Sequence, residues 1–169
     1  VIETLRRLVA FDTVSANPNR ALMDYVTGLL AAHGIEATLI PDPSGGKANL
    51  YASTGPGAGV MLSGHTDVVP VEGQNWTRPP FQLTEHQGRL YGRGTADMKG
   101  FCAAAIAALI AASKRPLKTP LHLALSYDEE IGCMGVRSLI TMLEAAPIRP
   151  RFCIVGEPTM MRVATGHKG

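Results

Sequence analysis

Short apolar runs alternate along this chain with longer segments in which apolar residues recur at helical spacing. The predicted strands cover residues 35–40, 49–52, 60–63, 121–127 and 152–155, and the predicted helices cover 2–9, 22–30, 98–113 and 136–144. A small hairpin is predicted around Gln87-Gly88, between strands at 81–85 and 89–91. This alternation is typical of an α/β protein. We therefore predict a layered α/β sheet with helices on both faces.

Four short clusters of acidic or histidine residues stand beside these elements. They are His65-Thr66-Asp67, Asp97, Asp128-Glu129-Glu130 and Glu157. Three of the clusters follow a predicted strand, and Asp97 begins the predicted helix 98–113. Open α/β sheets bind ligands at the edge where strands have their carboxyl ends, so we expect one crevice to gather all four clusters. One imidazole with several carboxylates is a ligand set that zinc-like ions use.

Each cluster also has a simpler interpretation when it is taken alone. The segment around His65 and the acidic run 128–130 could be polar surface loops. Asp97 could cap the helix that it precedes, which is a common use of aspartate. Glu157 could stand in an ordinary turn, because the residue before a proline, here Pro158, is held in an extended conformation. Only the combination of the clusters favours a metal site.

A nucleotide-binding loop is a further alternative for the segment before the helix. Gly92 and Gly94 resemble the first two glycines of the dinucleotide-binding fingerprint. Asp97 stands where the pattern requires its third glycine. A carboxylate there would repel the pyrophosphate that binds at a helix N-terminus. The segment therefore disfavours nucleotide binding.

The composition argues against several classes of partner. The net charge is +2, and no basic run or patch interleaved with aromatic residues suggests nucleic acid. No apolar stretch reaches the roughly 18 residues that a membrane-spanning helix needs. Cys102, Cys133 and Cys153 form no C-x-x-C pair and are predicted to be buried, reduced thiols. The first residues carry no signal peptide, so we expect a cytoplasmic protein with neither nucleic-acid nor membrane partners.

Taken together, four segments resemble the motifs of the zinc-dependent exopeptidase family, which includes deacetylases, desuccinylases, aminoacylases and carboxypeptidases. The segments have that family's order and spacing: Ser63-Gly-His-Thr-Asp-Val-Val-Pro70, Tyr91-Gly-Arg-Gly-Thr-Ala-Asp-Met-Lys-Gly100, Tyr127-Asp-Glu-Glu130 and Val155-Gly-Glu-Pro-Thr159. The resemblance covers nearly the whole chain and extends to His167-Lys168-Gly169. It implies a hydrolase that cleaves the amide bond of a small N-acyl amino acid.

The resemblance implies a ligand set for two divalent metal ions. His65 and Glu157 are similar to the terminal ligands of one ion. Asp97 is similar to the carboxylate that bridges both ions, and Glu130 to the terminal carboxylate of the second. Three ligand carboxylates set three negative charges against the four positive charges of two divalent ions. The ions implied are Zn²⁺, with Co²⁺ as an alternative.

The resemblance implies two catalytic residues beside the ligands. Asp67 is similar to the aspartate that stands behind the ligand histidine, and Glu129 to the general base that acts on the water between the metals. Such a base takes the water's proton and passes it to the departing amine. The preferred acyl group stays open between acetyl and succinyl. A non-catalytic domain of the same fold would be expected to lack Glu129 or a ligand, and all of them are present.

The resemblance also implies that the chain is one part of a longer protein. Full-length relatives insert a dimerisation domain and then return to supply a last histidine ligand. Residues 1–169 would therefore be the N-terminal portion of the metal-binding catalytic domain, with the dimerisation domain and the C-terminal catalytic segment absent from this chain. We expect the full-length protein to be a homodimer. We expect residues 1–169 alone to bind metal weakly and to turn over little or no substrate.

Overall fold

The computed structural model describes residues 1–166, so the predicted match at 167–169 lies outside the described residues. A five-stranded mixed sheet forms the centre of the fold, and a separate pair of short strands forms a hairpin. The elements are α1 (Ile2–Ala10), α2 (Arg20–Ala31), β1 (Ala37–Pro41), β2 (Ala48–Ser53), β3 (Val60–His65), β4 (Thr84–His86), β5 (Arg89–Tyr91), α3 (Lys99–Ser113), β6 (Leu121–Ser126), α4 (Val136–Ala145) and β7 (Phe152–Val155). The predicted α/β sheet is confirmed.

The order of the strands brings three strand ends to one edge of the sheet. The order is β1-β2-β6-β3-β7, and β3 is parallel to both of its neighbours, β6 and β7. β2 is antiparallel to β6 and to β1. His65 pairs with Ser126, and Ser63 pairs with Val155. Because β6, β3 and β7 run in the same direction, the residues that follow them meet at a common edge.

One face of the sheet packs on the main hydrophobic core. Leu50 of β2 and Leu123 of β6 are fully buried there. The first three helices cover this face, and each contributes fully buried side chains to the same cluster, such as Leu8, Leu22 and Ile106. The periodic apolar residues of the predicted helices therefore form the interior side of these helices.

The opposite face of the sheet carries α4. Asn49 precedes Leu50 in β2, so the two side chains point to opposite faces. The Asn49 amide is fully buried and donates to the Gly135 backbone oxygen at 2.8 Å and to Ser138 Oγ at 2.9 Å. Both acceptors belong to the start of α4. Helices thus lie on both faces of the sheet, as predicted.

α3 is built mainly of small residues and lies close to β3. Seven of the residues 103–112 are alanine. A Cβ atom added at Gly64 would lie only 2.9 Å from Cys102 Sγ, and this sulfur lies 3.2 Å from the His65 backbone oxygen. The first turn of α3 therefore packs against the end of β3. This packing brings Asp97, just before the helix, to the same edge as the strand ends.

Most elements have boundaries that differ from the predicted ones by one to three residues, and three of these differences affect β1, β4 and β3. β1 begins two residues later, because the Ile35 amide donates to the Leu30 backbone oxygen at 3.0 Å as the chain leaves α2. β4 begins three residues later, because the Gln82 amide turns back to the Pro79 backbone oxygen at 3.3 Å. β3 extends two residues further than predicted and includes His65. His65 is therefore held by the sheet itself and not by a following loop.

The predicted burial of the cysteines is correct for one of the three. Cys102, in the first turn of α3, is buried, whereas Cys133 and Cys153 are exposed. Cys153 belongs to β7, which has a paired neighbour on one side only within the described residues. Cys133 lies in the loop after the acidic run. Among residues 1–166, no helix has the length and apolar character that a bilayer crossing requires.

Candidate metal centre

The His65 imidazole is held at the carboxyl end of β3. Only 2% of the residue is exposed. Its Nδ1 lies 2.9 Å from the backbone oxygen of Asp67 and 3.5 Å from the carboxylate Oδ1 of the same residue. A carbonyl oxygen can only accept, so Nδ1 donates its hydrogen, and a neutral ring then keeps a lone pair on Nε2. The sequence predicts Asp67 behind this ring, and its backbone oxygen is the closer partner.

Carboxylates from the other three clusters surround the Nε2 side of His65. Nε2 lies 3.1 Å from Asp97 Oδ1, 3.7 Å from Glu129 Oε2 and 3.7 Å from Glu157 Oε1. One potential ligand atom of Glu130 lies within 4.8 Å of those of His65 and Asp97. The structure thus brings together every residue that the sequence predicts as a metal ligand. They come from the ends of three parallel strands and from the start of α3.

The electrostatics of this cluster favour bound cations. Burial raises the pKa of Glu130 and Glu157, and repulsion from Asp97 and Glu129 raises both further. Burial alone would lower the pKa of His65, but Asp67 and then Glu157 raise it to about 9. Four carboxylates around one imidazole therefore draw positive charge to the site. A proton on the ring supplies one such charge, and a divalent cation would supply two.

The donor atoms also suit divalent cations chemically. His65, Glu129 and Glu157 form one group, and His65, Asp97 and Glu130 form a second, with the donor atoms of each group within 4.8 Å of one another. Imidazole nitrogen with carboxylate oxygen suits zinc, cobalt and manganese. The geometry groups Glu129 with the ligands, whereas the resemblance implies that it is the base. His65 belongs to both groups, so the residues present fit divalent metal ions, while the division of the ligands between two ions rests on the resemblance.

The Asp67 carboxylate connects Ser15 to the backbone of the acidic run 128–130. It is 2% exposed and accepts three hydrogen bonds: from Ser15 Oγ at 2.7 Å, from the Glu129 amide at 3.1 Å and from the Glu130 amide at 3.2 Å. Burial works against its ionisation, but the contacts with His65 and Ser15 lower its pKa. Asp67 therefore fixes the backbone that carries Glu129 and Glu130. From the sequence, only its contact with His65 is predicted.

No motif in the sequence points to the N-terminal segment that supports the centre. Thr13 Oγ1 donates to the Thr66 backbone oxygen at 2.6 Å, and the Val68 amide donates to the Thr13 backbone oxygen at 3.0 Å. The Ser15 amide then donates to the Val68 backbone oxygen at 3.2 Å. These contacts form a short parallel bridge between residues 13–15 and 66–68. No spacing rule links two segments so far apart, and so the sequence carries no signal for this pairing.

A cavity of about 200 Å³ opens beside the carboxylates. Val69, residues 92–97 and Glu130 line it, so it lies next to Asp97. A second cavity of about 190 Å³ lies by Trp76 and Arg78, and none of the candidate ligands lines it. The first cavity offers space for a small molecule next to the candidate metal ligands. Its position makes it a candidate binding site for a small-molecule ligand.

Comparison with known proteins places this architecture among metallopeptidases. The model of peptidase family M20/M25/M40 matches residues 61–167. The chain is 41% identical to acetylornithine deacetylase of Salmonella arizonae and 42% identical to that of Klebsiella pneumoniae, over 99% of this chain and 45% of each relative. The chain therefore spans about half the length of the curated relatives that it matches.

Solved structures agree with the sequence comparison. Human carnosine dipeptidase 1 matches 91% of this chain and 37% of its own, with a TM-score of 0.77 and 25% identity. An M20 family metallo-carboxypeptidase from Sulfolobus solfataricus matches 92% of this chain and 36% of its own, with a TM-score of 0.79 and 25% identity. The layered sheet found here is thus similar to that of known exopeptidases.

Proposed function

Because the chain belongs to peptidase family M20/M25/M40, we propose that its parent protein is a metal-dependent hydrolase that cleaves N-acetyl-L-ornithine into L-ornithine and acetate. The observation that carries this proposal is the convergence of His65 and four carboxylates at the edge formed by β6, β3 and β7. The 41% identity to acetylornithine deacetylase supports the choice of substrate. The reaction would belong to arginine biosynthesis.

In this proposal, His65 and Glu157 would hold one divalent ion, Glu130 would hold a second, and Asp97 would contribute to the binding of both. When bound, the ions would polarise the scissile carbonyl and make water acidic enough to attack near neutral pH. Zn²⁺ is the proposed metal, with Co²⁺ as the alternative. The hydrogen bond from His65 Nδ1 to the Asp67 backbone oxygen keeps Nε2 free to act as a ligand.

Glu129 is the proposed general base. Its side chain is about one third exposed (36%), so one carboxylate oxygen can face the crevice while the other stays near His65. It takes a proton from the attacking water and returns it to the nitrogen of the leaving amine. Asp67 holds the Glu129 amide at 3.1 Å, which fixes the position of the base without using its carboxylate.

An acetyl substrate is favoured over the alternatives within the family. Deacylases that release succinate, and aminoacylases, would use the same metals and base. The relatives at 41–42% identity are acetylornithine deacetylases, whereas the dipeptidase and the carboxypeptidase are 25% identical. Sequence similarity therefore supports acetylornithine over a peptide.

The assembly of the parent protein is also a proposal. We propose that residues 1–169 are the N-terminal portion of the catalytic domain of a homodimeric, cytoplasmic enzyme. The resemblance supports this arrangement, and so does the coverage of 45% of the curated relatives. No nucleic acid or membrane has a part in the proposed function.

The test is hydrolysis of N-acetylornithine by the full-length parent, first stripped of metal and then resupplied with Zn²⁺ or Co²⁺. We expect turnover only with metal. Glu129→Gln should lower kcat by about 10²- to 10⁴-fold, because the base is lost while the shape of the side chain is kept. Glu144→Gln in α4, an exposed glutamate outside the four clusters, is the matched control and should leave kcat unchanged.

Each alternative has its own outcome in this test. Metal-dependent hydrolysis of a succinylated substrate but not of N-acetylornithine would move the assignment to a desuccinylase. Binding of two metals with no hydrolysis of any N-acyl amino acid would contradict the proposed reaction. Full activity of Glu129→Gln would contradict the role of the base alone.

A further inference from the structure

Four polar side chains outside the proposed ligand set form a closed ring with the backbone of the acidic run. Asp67 Oδ2 accepts from Ser15 Oγ at 2.7 Å. Lys47 Nζ donates to the Ser15 backbone oxygen at 2.6 Å and to Asp128 Oδ1 at 2.6 Å. Asp128 is followed in the chain by Glu129, and the Glu129 amide donates a hydrogen bond to Asp67 Oδ1 at 3.1 Å, which closes the ring. The ring thus connects the residue behind His65 to the residue before the base.

Asp128 adopts a backbone conformation that needs support. Its φ is +55°, in the left-handed region that residues with a side chain rarely occupy, although aspartate tolerates it better than most. The next residue, Glu129, takes its direction from this turn. A change of Asp128 to an extended conformation would carry the amides of Glu129 and Glu130 away from Asp67. The contact that holds the Asp128 side chain therefore also holds the base and a ligand.

Lys47 is well placed to provide that support. Its side chain is 19% exposed and that of Asp128 is 14% exposed, so solvent screens this ion pair less than an exposed one. The Lys47 amide donates to Asp42 Oδ1 at 2.9 Å, which holds the start of the side chain in the turn before β2. The ammonium group then reaches two acceptors at once. An apolar side chain of similar length would offer neither contact.

We propose that Ser15 and Lys47 are positioning residues for the metal centre: they hold Asp67 and Asp128, and through these two residues they fix Glu129 and Glu130. This inference rests on the proposed function, and it adds to that function two residues that lie outside the matched family segment 61–167. Neither residue belongs to the two groups of candidate donor atoms. Their effect is on geometry, as expected for groups that orient ligands from behind.

The test uses the full-length protein with Lys47→Met, which keeps the length of the side chain and removes its charge. We expect kcat and Zn²⁺ affinity each to fall by about 10- to 100-fold, with KM changed much less. Affinity is measured by chelator competition, and ligand geometry by the absorption spectrum of the Co²⁺ form. Lys118→Met, at an exposed lysine, is the control and should match the wild type in all readouts.

A second substitution separates positioning from a direct role of the lysine charge. Glycine adopts the left-handed conformation without strain, so Asp128→Gly should restore much of the kcat and metal affinity when it is added to Lys47→Met. If the double variant is as impaired as Lys47→Met, the proposal is wrong, because Lys47 would then act elsewhere. Wild-type kcat and affinity in Lys47→Met would also overturn it.

Ser15→Ala decides the question if Lys47→Met does not fold. It removes only the hydroxyl that donates to Asp67, and we expect a similar loss of Zn²⁺ affinity in a protein that still folds, with the free energy of unfolding of the metal-free protein lower by about 1–3 kcal/mol. Unaltered affinity and kcat would overturn the proposal. Because chelator competition needs no substrate, these readouts still test the two residues if the wild type does not hydrolyse N-acetylornithine, a result that would contradict the proposed function alone.

Discussion

Asp67 shapes the candidate metal centre without being one of its proposed ligands. Its carboxylate accepts a hydroxyl and two backbone amides, while its backbone oxygen accepts from His65. A buried donor left without a partner costs about 1–3 kcal/mol, so losing this carboxylate would leave up to three such groups. A single residue therefore ties the end of β3 to the loop after β6. Residues of this kind make a site rigid while the ligands supply its chemistry.

Another buried polar residue, His122 of β6, is expected to make the free energy of unfolding depend on pH. It is 4% exposed, its Nδ1 lies 2.7 Å from Tyr51 Oη, and burial lowers its pKa below the ordinary 6.5. The folded protein therefore keeps the ring neutral at a pH where the unfolded chain binds a proton. The contribution of the neutral His122 ring to the free energy of unfolding is fully present above pH 6.5 and is lost as the pH falls below that value.

We expect the free energy of unfolding of the metal-free protein to fall more steeply between pH 6.5 and 5.5 than that of His122→Gln, by at most about 1.4 kcal/mol per pH unit. Urea denaturation at several pH values measures both proteins. The variant keeps a polar side chain but cannot titrate, and the other histidines contribute equally to both curves. Parallel curves would show that His122 is protonated as readily in the fold as in the unfolded chain.

At the scale of elements, the close packing of α3 on β3 sets the distance between Asp97 and His65. The alanine-rich side of the helix allows this approach, and Gly64 faces the helix where a larger residue has no room. The small residues are therefore part of the site geometry, although none of them carries a reactive group. Close-packed interiors resist added volume, so a substitution that adds one methyl group at Gly64 tests this contact.

Gly64→Ala should destabilise the protein by about 1–3 kcal/mol, because the new Cβ would lie 2.9 Å from Cys102 Sγ and 3.0 Å from Met98 Cε. Gly28→Ala is the matched control: Gly28 is exposed inside α2, and nothing lies within 4 Å of an added Cβ. This control should gain about 1 kcal/mol through helix propensity. Urea denaturation compares both with the wild type, and equal stability of the two variants would contradict the packing argument.

At the scale of the whole molecule, β7 leaves apolar side chains in contact with solvent. Phe152 is 62% exposed and Val155 is 59% exposed, and within the described residues β7 pairs with β3 alone. An unpaired apolar edge strand is a template for association with another chain. The curated relatives are more than twice as long as the matched segment, so in the proposed full-length protein additional residues would be available to cover this surface.

We expect residues 1–169 produced alone to self-associate in a concentration-dependent way and to hydrolyse little or no N-acetylornithine. Phe152→Lys should reduce the association, because a charge on an edge strand opposes pairing. Ile2→Lys in α1, another exposed apolar position, is the control and should not. Sedimentation velocity measures the association. A monomer at all concentrations, or clear metal-dependent turnover, would contradict these expectations.

Local patterns in the sequence were enough to predict the type and order of the elements. The helices and strands follow from apolar periodicity, which depends only on neighbouring residues. The positions of His65, Asp128 and Glu157 at or just after apolar strands also predicted that these side chains would meet, because parallel strands share an edge. The motifs around the same residues identified the family.

Only the tertiary structure revealed what holds the candidate site in place. Ser15 contacts Asp67 across 52 positions of sequence, and Lys47 contacts Asp128 across 81. Such pairings depend on how the sheet and the N-terminal segment pack, and no periodicity or motif encodes them. The backbone oxygen that accepts from His65 and the exposure of Cys133 were likewise decided by packing. The sequence thus determined which groups the site contains, and long-range packing determined their orientation and support.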